Sequence, residues 1–209
     1  FTPKIHELRG QKQKNLEKAL YHGIMPSHPS ITEINLSNWN VQKVPSALRT
    51  PGIEISGPAH LTSMFINALN PNADGQRAEG DLDDNEDSAS HTFTDTIMAA
   101  RNRMNATIGT LNTTNPSTGK HYAIAAGEIP FFMHREPGLH LDEQDVTVDG
   151  ESIPASILST ALTLAYVGKA QSERGQGIFF YLPKMELWEE CAFWKDFFDA
   201  CVKKLPHLE

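Results

Sequence analysis

IPFFMHR at residues 129–135 and IFFYLPK at residues 178–184 are the two stretches on which the fold turns. Each is a short apolar run without polar alternation, as expected of a strand covered on both faces. Between them, residues 153–172 predict an apolar helix that Gly175 and Gly177 end, and DVTVDGES carries an Asp149-Gly150 hairpin signal. A strand, a helix and a second strand in that rhythm point to parallel β/α units rather than a meander. Beyond the second run, MELWEECAFWKDFFDACVKKL predicts a last helix whose apolar residues are Leu187, Cys191, Phe193, Trp194, Phe197, Phe198, Cys201 and Val202.

Working toward the N-terminus, the periodicity predicts a helix from Phe93 to Ile108 on Ile97, Met98, Ala100, Met104 and Ile108, followed by a loop over 110–119. IEISG at 53–57 reads as another strand. Gly57-Pro58 turns it into a helix that carries Leu61, Met64, Phe65, Ala68 and Leu69 on one side. Residues 4–22 predict an exposed helix with a stripe of Ile5, Leu8, Leu16 and Leu20, stopped by Gly23, and Met25 to Pro51 reads as connector. Residues 71–87, PNADGQRAEGDLDDNED, contain one large apolar residue, Leu82. The acidic run within them, Asp74 to Asp87, is expected to be a solvated or disordered loop. As a barrel wall, the DGQRAEGDLD portion would bury unpaired charges at a cost on the order of several kcal/mol per ion.

The chain has 209 residues, enough for one domain or two small ones with a sizeable core. Its formal net charge of −8 argues against nucleic acid or an anionic membrane as main partner, since both need a positive surface. Cys191 and Cys201, ten residues apart on a helix, are too distant to bridge each other and read as reduced core thiols. No apolar run reaches the length of a membrane span, and the opening residues lack a signal peptide's apolar stretch. The expectation is a soluble intracellular chain, and the missing initiator Met leaves room for a longer parent. Nine histidines, His134 and His140 among them, lie without ligand spacing and favour structural or surface roles over zinc.

Several words occur in a fixed order: FTPK…R at the start, SNW…VPSAL…R, IEISGP…FINALN, DNEDS at 84–88, HREPGLHLDEQDVTVDGESIPASI at 134–157 and FFYLPKMELWEE at 179–190. Together they resemble the malate synthase family, in its shorter A-type form, over nearly the whole chain. The resemblance implies an α/β fold, part of a TIM (β/α)₈ barrel. Residues 1–51 would then be the N-terminal helical and connector segment, and residues 52–209 the first half of the barrel. It implies condensation of acetyl-CoA with glyoxylate to malate and CoA, the glyoxylate-cycle reaction, with Mg2+ as cofactor and a cytoplasmic or peroxisomal location. Arg135, at the end of its strand, matches the Arg that holds glyoxylate and stabilises the enolate. Gly138 and Leu139 follow in the substrate-binding word, and Asp84, Glu86 and Asp87 match carboxylates beside the magnesium and its waters. Such groups belong at the C-terminal ends of barrel strands, where Pro183-Lys184 also falls.

Two departures accompany the match. Pro137 stands where the family has a second Arg. The family's direct metal ligands and its Asp general base belong to later segments and have no counterpart here, so autonomous catalysis is not expected. A half barrel also exposes two strand edges, and the alternative reading is a non-catalytic relative kept for scaffolding, pairing with a second copy or a partner chain. A related acyl-CoA lyase or aldolase-type barrel is a third.

Overall fold

The computed structural model describes residues 1–27, 38, 40–49 and 52–208, so about half of the connector expected between Met25 and Pro51, including Ser37 and Trp39 of its SNW word, lies outside the described residues. The chain opens with helix α1, Thr2–His22, which has Pro in its first turn and ends at Gly23 in the left-handed conformation, φ 65°. Only the first two positions of its expected stripe are covered: Ile5 and Leu8 pack with Leu139, Phe193, Trp194 and Phe197, while Leu16 and Leu20 are exposed.

From there the chain alternates. Strand β1, Glu54–Gly57, leads to helix α2, Thr62–Leu69, and to strand β2, Gly80–Asp84. Helix α3, Phe93–Thr107, and a short hairpin of β3, Asn112–Thr114, with β4, His121–Ala123, precede β5, Phe131–Arg135. A second hairpin, β6 (Asp142–Val148) with β7 (Glu151–Pro154), turns at Asp149 and Gly150, both at positive φ, as the Asp-Gly pair demands. Helix α4, Ala155–Leu162, runs through a π-helical segment, Thr163–Gly168, into α5, Lys169–Ser172. Strand β8, Phe179–Phe180, and helix α6, Trp188–Lys204, complete the described order before a last turn, Pro206–Leu208.

Four strands form one sheet in the order β1-β2-β5-β8, and every neighbouring pair is parallel. Spatial order follows chain order without the reversal that marks a doubly wound sheet, so the chain winds in one direction as in a β/α barrel. The sheet stays open among the described residues, as half a barrel must. Side chains alternate between its faces. Ile55, Asp81, Asp83, Phe132, His134 and Phe180 turn to the helical layer, where Phe132 meets Phe65 of α2 at 5.7 Å and Phe180 meets Phe198 of α6 at 5.3 Å. Leu82, Asp84, Phe131, Met133, Arg135 and Phe179 take the other face. Gly80 is required there because the Phe131 ring lies over it: a Cβ at position 80 would stand 2.5 Å from that ring.

The sharpest correction concerns β2. The solvated or disordered loop expected over residues 74–87 is instead, at 80–84, an inner strand of the sheet, with Asp81, Asp83 and Asp84 buried. Asp84 is met by the turn that follows it, and Asp83 by residues far away in sequence. Asp83 pairs with Arg103 of α3 at 2.5 Å and with His134 Nδ1 at 2.7 Å. The same demand rotates α3 away from its apolar reading. Asn102 and Arg103 are buried, together with Thr96 and Thr107, while Ile97 and Ile108 stay partly exposed. Residues 110–119, expected as loop, contribute β3. Cys191, expected in the core, is exposed, and Cys201 is half-buried.

Candidate active site

Parallel pairing of β2 with β5 sets Asp84 opposite Arg135 at the C-terminal end of the sheet. The sequence after β2 folds back on itself because Asp84 Oδ1 accepts the backbone N–H of Glu86 (2.9 Å) and of Asp87 (3.2 Å), while Oδ2 accepts the Ser88 hydroxyl at 2.8 Å. This turn delivers both following carboxylates to Arg135. Arg135 Nη2 donates to Glu86 Oε2 at 2.9 Å and to Asp87 Oδ2 at 2.5 Å, and Nη1 lies 3.4 Å from Asp84 Oδ2. Lys184, held at positive φ beyond β8, donates to Glu86 Oε1 at 2.5 Å and to Asp87 Oδ1 at 2.8 Å. Three carboxylates and two cations therefore share one rim. The lysine and arginine contacts hold the Asp87 carboxyl well below its usual range, the Lys184 bond contributing most. Burial disfavours the Arg135 cation, but Asp84, Asp87 and Glu86 outweigh it and raise its pKa.

A buried layer supports the rim. Asn85 N–H donates to the Arg135 carbonyl at 2.8 Å, and its side chain reaches Ser159 Oγ at 3.1 Å. Glu136, the next residue after Arg135, accepts from Arg103 (2.7 Å), Ser159 (2.5 Å) and Thr163 (2.5 Å). Burial alone would raise the Glu136 pKa, but Arg103 and the two hydroxyls reverse that and lower it. None of Asn85, Arg103, Glu136, Ser159 and Thr163 stood out in the sequence, since each acts through a partner on another element. Lys184 had one signal, its place after a strand.

The two remaining candidates part company. Gly138 belongs to the rim: a Cβ there would stand 3.8 Å from Glu86 Oε1 and 2.7 Å from His140 Nδ1, so no larger residue fits without displacing the His140 ring. The Leu139 side chain instead packs among Ile5, Leu8 and the aromatics of α6, and its carbonyl accepts Arg9 Nε at 2.6 Å. It is core.

This geometry can be set beside known proteins. The profile of the malate synthase TIM barrel domain matches residues 131–206. Malate synthase A of Escherichia coli is 34% identical over 202 residues, covering 95% of this chain and 36% of the relative. The malate synthase of Myxococcus xanthus is 33% identical, covering 93% and 35%, and a glyoxysomal malate synthase of Ricinus communis is 30% identical, covering 87% and 32%. This chain is a relative of the malate synthases. It spans about a third of the length of the malate synthases it matches. The malate synthase profile begins at the first residue of β5 and covers Arg135, Gly138 and Lys184, while the acidic turn lies in the longer matches.

The rim does not suit direct ligation of magnesium. Both oxygens of Glu86 and of Asp87 are taken by Arg135 and Lys184, and those of Asp84 by backbone and Ser88. Among the described residues no cluster of three or more His, Cys, Asp or Glu side chains could hold a metal ion.

Proposed function

We propose that this chain contributes the Arg135 side of a malate synthase-type site, in which acetyl-CoA and glyoxylate condense to malate and CoA. The observation that carries the reading is the placement of Arg135 at a strand end, opposite Asp84 and bonded to Glu86 and Asp87. A guanidinium is permanently charged and presents paired donors, which suits a two-carbon oxoacid's carboxylate and the oxyanion of an enolate. The rim carboxylates would then set the guanidinium's orientation and, as outer groups, face the waters of a magnesium ion held elsewhere. Asp87, held so acidic, is a poor base for the methyl proton of the thioester. Gly138 leaves room for the His140 ring beside Glu86. In this reading residues 1–51 form the helical and connector segment and residues 52–209 the half barrel, in a cytoplasmic or peroxisomal enzyme. Among the described residues no helix is long and apolar enough to cross a membrane.

The test is thiol release from acetyl-CoA by the purified 209-residue chain with glyoxylate and magnesium, against Arg135→Ala. Release that needs both substrates and falls at least 100-fold in the variant is the outcome expected of a competent site. Background release alone rejects autonomous activity. One observation favours a second reading in that event: among the described residues β1 and β8 are both open edges of the sheet, a template for a second copy or a partner chain. Light scattering on the eluted protein distinguishes them, since a well-folded monomer that recruits nothing contradicts the scaffold.

A further inference from the structure

On the helical side of the sheet, away from the rim, Asp81 is 1% exposed and neither of its carboxyl oxygens has a hydrogen-bond partner among the described residues. It borders a cavity of about 280 Å³ between β1 and α2, whose other walls include Ile55, Pro58, Met64, Phe65 and Ala68. Buried carboxyl oxygens are almost always hydrogen-bonded, so an unpartnered pair at an apolar pocket indicates a group that is meant to arrive.

We propose that this pocket is a binding site for a small organic monocation, an ammonium or guanidinium on a short apolar stem, with Asp81 as its counter-ion. The surroundings choose the sign. Asp83 on the same strand and Glu54 on β1 add negative potential at Asp81, and Arg103 of α3, the one cation acting on it among the described residues, is committed to Asp83 and Glu136. Helix α2, TSMFINAL, brings no charge, and β5 places Phe132 opposite Asp81. The stem would lie against Ile55, Met64 and Ala68, and the size of the cavity limits it to a few carbons. Burial, with Asp83 next, pushes the free Asp81 carboxyl up to about 8. A bound cation reverses that balance, so at pH 7 its entry releases a proton to the buffer.

The experiment titrates n-butylammonium into the 209-residue chain at pH 7, following backbone amide shifts and, by calorimetry in two buffers of different ionisation heat, proton release. n-Butanol and butyrate serve as isosteric controls. The expected result is saturable shifts confined to residues 55–58, 64–68 and 81, with proton release, and at least tenfold weaker binding of both controls. Asp81→Asn should weaken the ammonium to the level of n-butanol. Met64→Trp, at an exposed helix position that closes the pocket mouth, should abolish binding with Asp81 intact. Equal binding of butanol and butylammonium, an unchanged Asp81→Asn affinity, or no binding by any probe overturns the proposal. None of these readouts involves Arg135, so failure here leaves the condensation reading where it stands.

Discussion

Asp81 and Asp83 sit two positions apart on one face of β2 and meet opposite fates. Asp83 has a guanidinium and an imidazole, whereas Asp81 has neither, and burial raises its pKa from 3.8 to about 8. A raised folded-state pKa means the folded chain binds more protons than the unfolded one between those values. The contribution is full below about pH 4 and is lost as pH rises through 8. Unfolding free energy from urea titrations should therefore fall by roughly 2–4 kcal/mol between pH 5 and pH 8 on this group's account. Asp81→Asn should remove most of that slope, and an unchanged slope would contradict the burial of a protonated acid here. At the same scale the sequence was informative about Arg135 and silent about Asp81. A guanidinium that ends an apolar run, followed by Gly138, announces itself locally. The environment of a buried acid is made by other elements and has no local signature.

Helix α3 shows what this does to a whole element. Its Ile97, Met104 and Ile108 suggested an apolar stripe, yet the buried face carries Asn102 and Arg103 because it packs on a strand that presents aspartates. The hairpin at Asp149-Gly150, the helix breaks at Gly23 and Gly175, and the strand at 131–135 were legible, since backbone preference and periodicity are local properties. The strand at 80–84 was not, because its buried Asp83 depends on partners supplied from residues 103 and 134. Arg103 ties β2 to the residue after β5, and Glu136 in turn ties that point to the start of the π-helical segment at Thr163. Arg103→Met should cost roughly 3–5 kcal/mol, since it leaves Asp83 and Glu136 buried without their cation. Urea unfolding measures it. Arg103→Met combined with Asp83→Asn and Glu136→Gln should recover a large part of the loss, and no recovery would place the defect in packing instead. On α6, Phe193→Ala opens the aromatic cluster with Trp194 and Phe197 and should cost roughly 3–5 kcal/mol by the same measurement.

Across the whole molecule, the two cationic arms of the rim share a backing that neither the strand pattern nor the motif order suggested. Helix α1 reaches behind both. Arg9 donates to the carbonyls of Leu139 (2.6 Å) and Leu141 (3.1 Å) and pairs with Asp142, while Lys12 bonds the Lys184 carbonyl at 3.2 Å and Glu190 at 3.0 Å. Arg9→Ala should accelerate amide hydrogen exchange at Leu141, and in the loop that follows Arg135, without changing exchange in β1. Unaltered protection there would show that the loop holds its own shape.

The contact from residue 9 to residue 142 closes a span of 133 residues, and the apolar seat of Ile5 and Leu8 includes Phe197, near the far end of the chain. Helix α1 is therefore without its docking surface until residues as late as Phe197 have been translated. Until then Ile5 and Leu8 wait in water on a helix that has nowhere to go, and the rim is without its rear support.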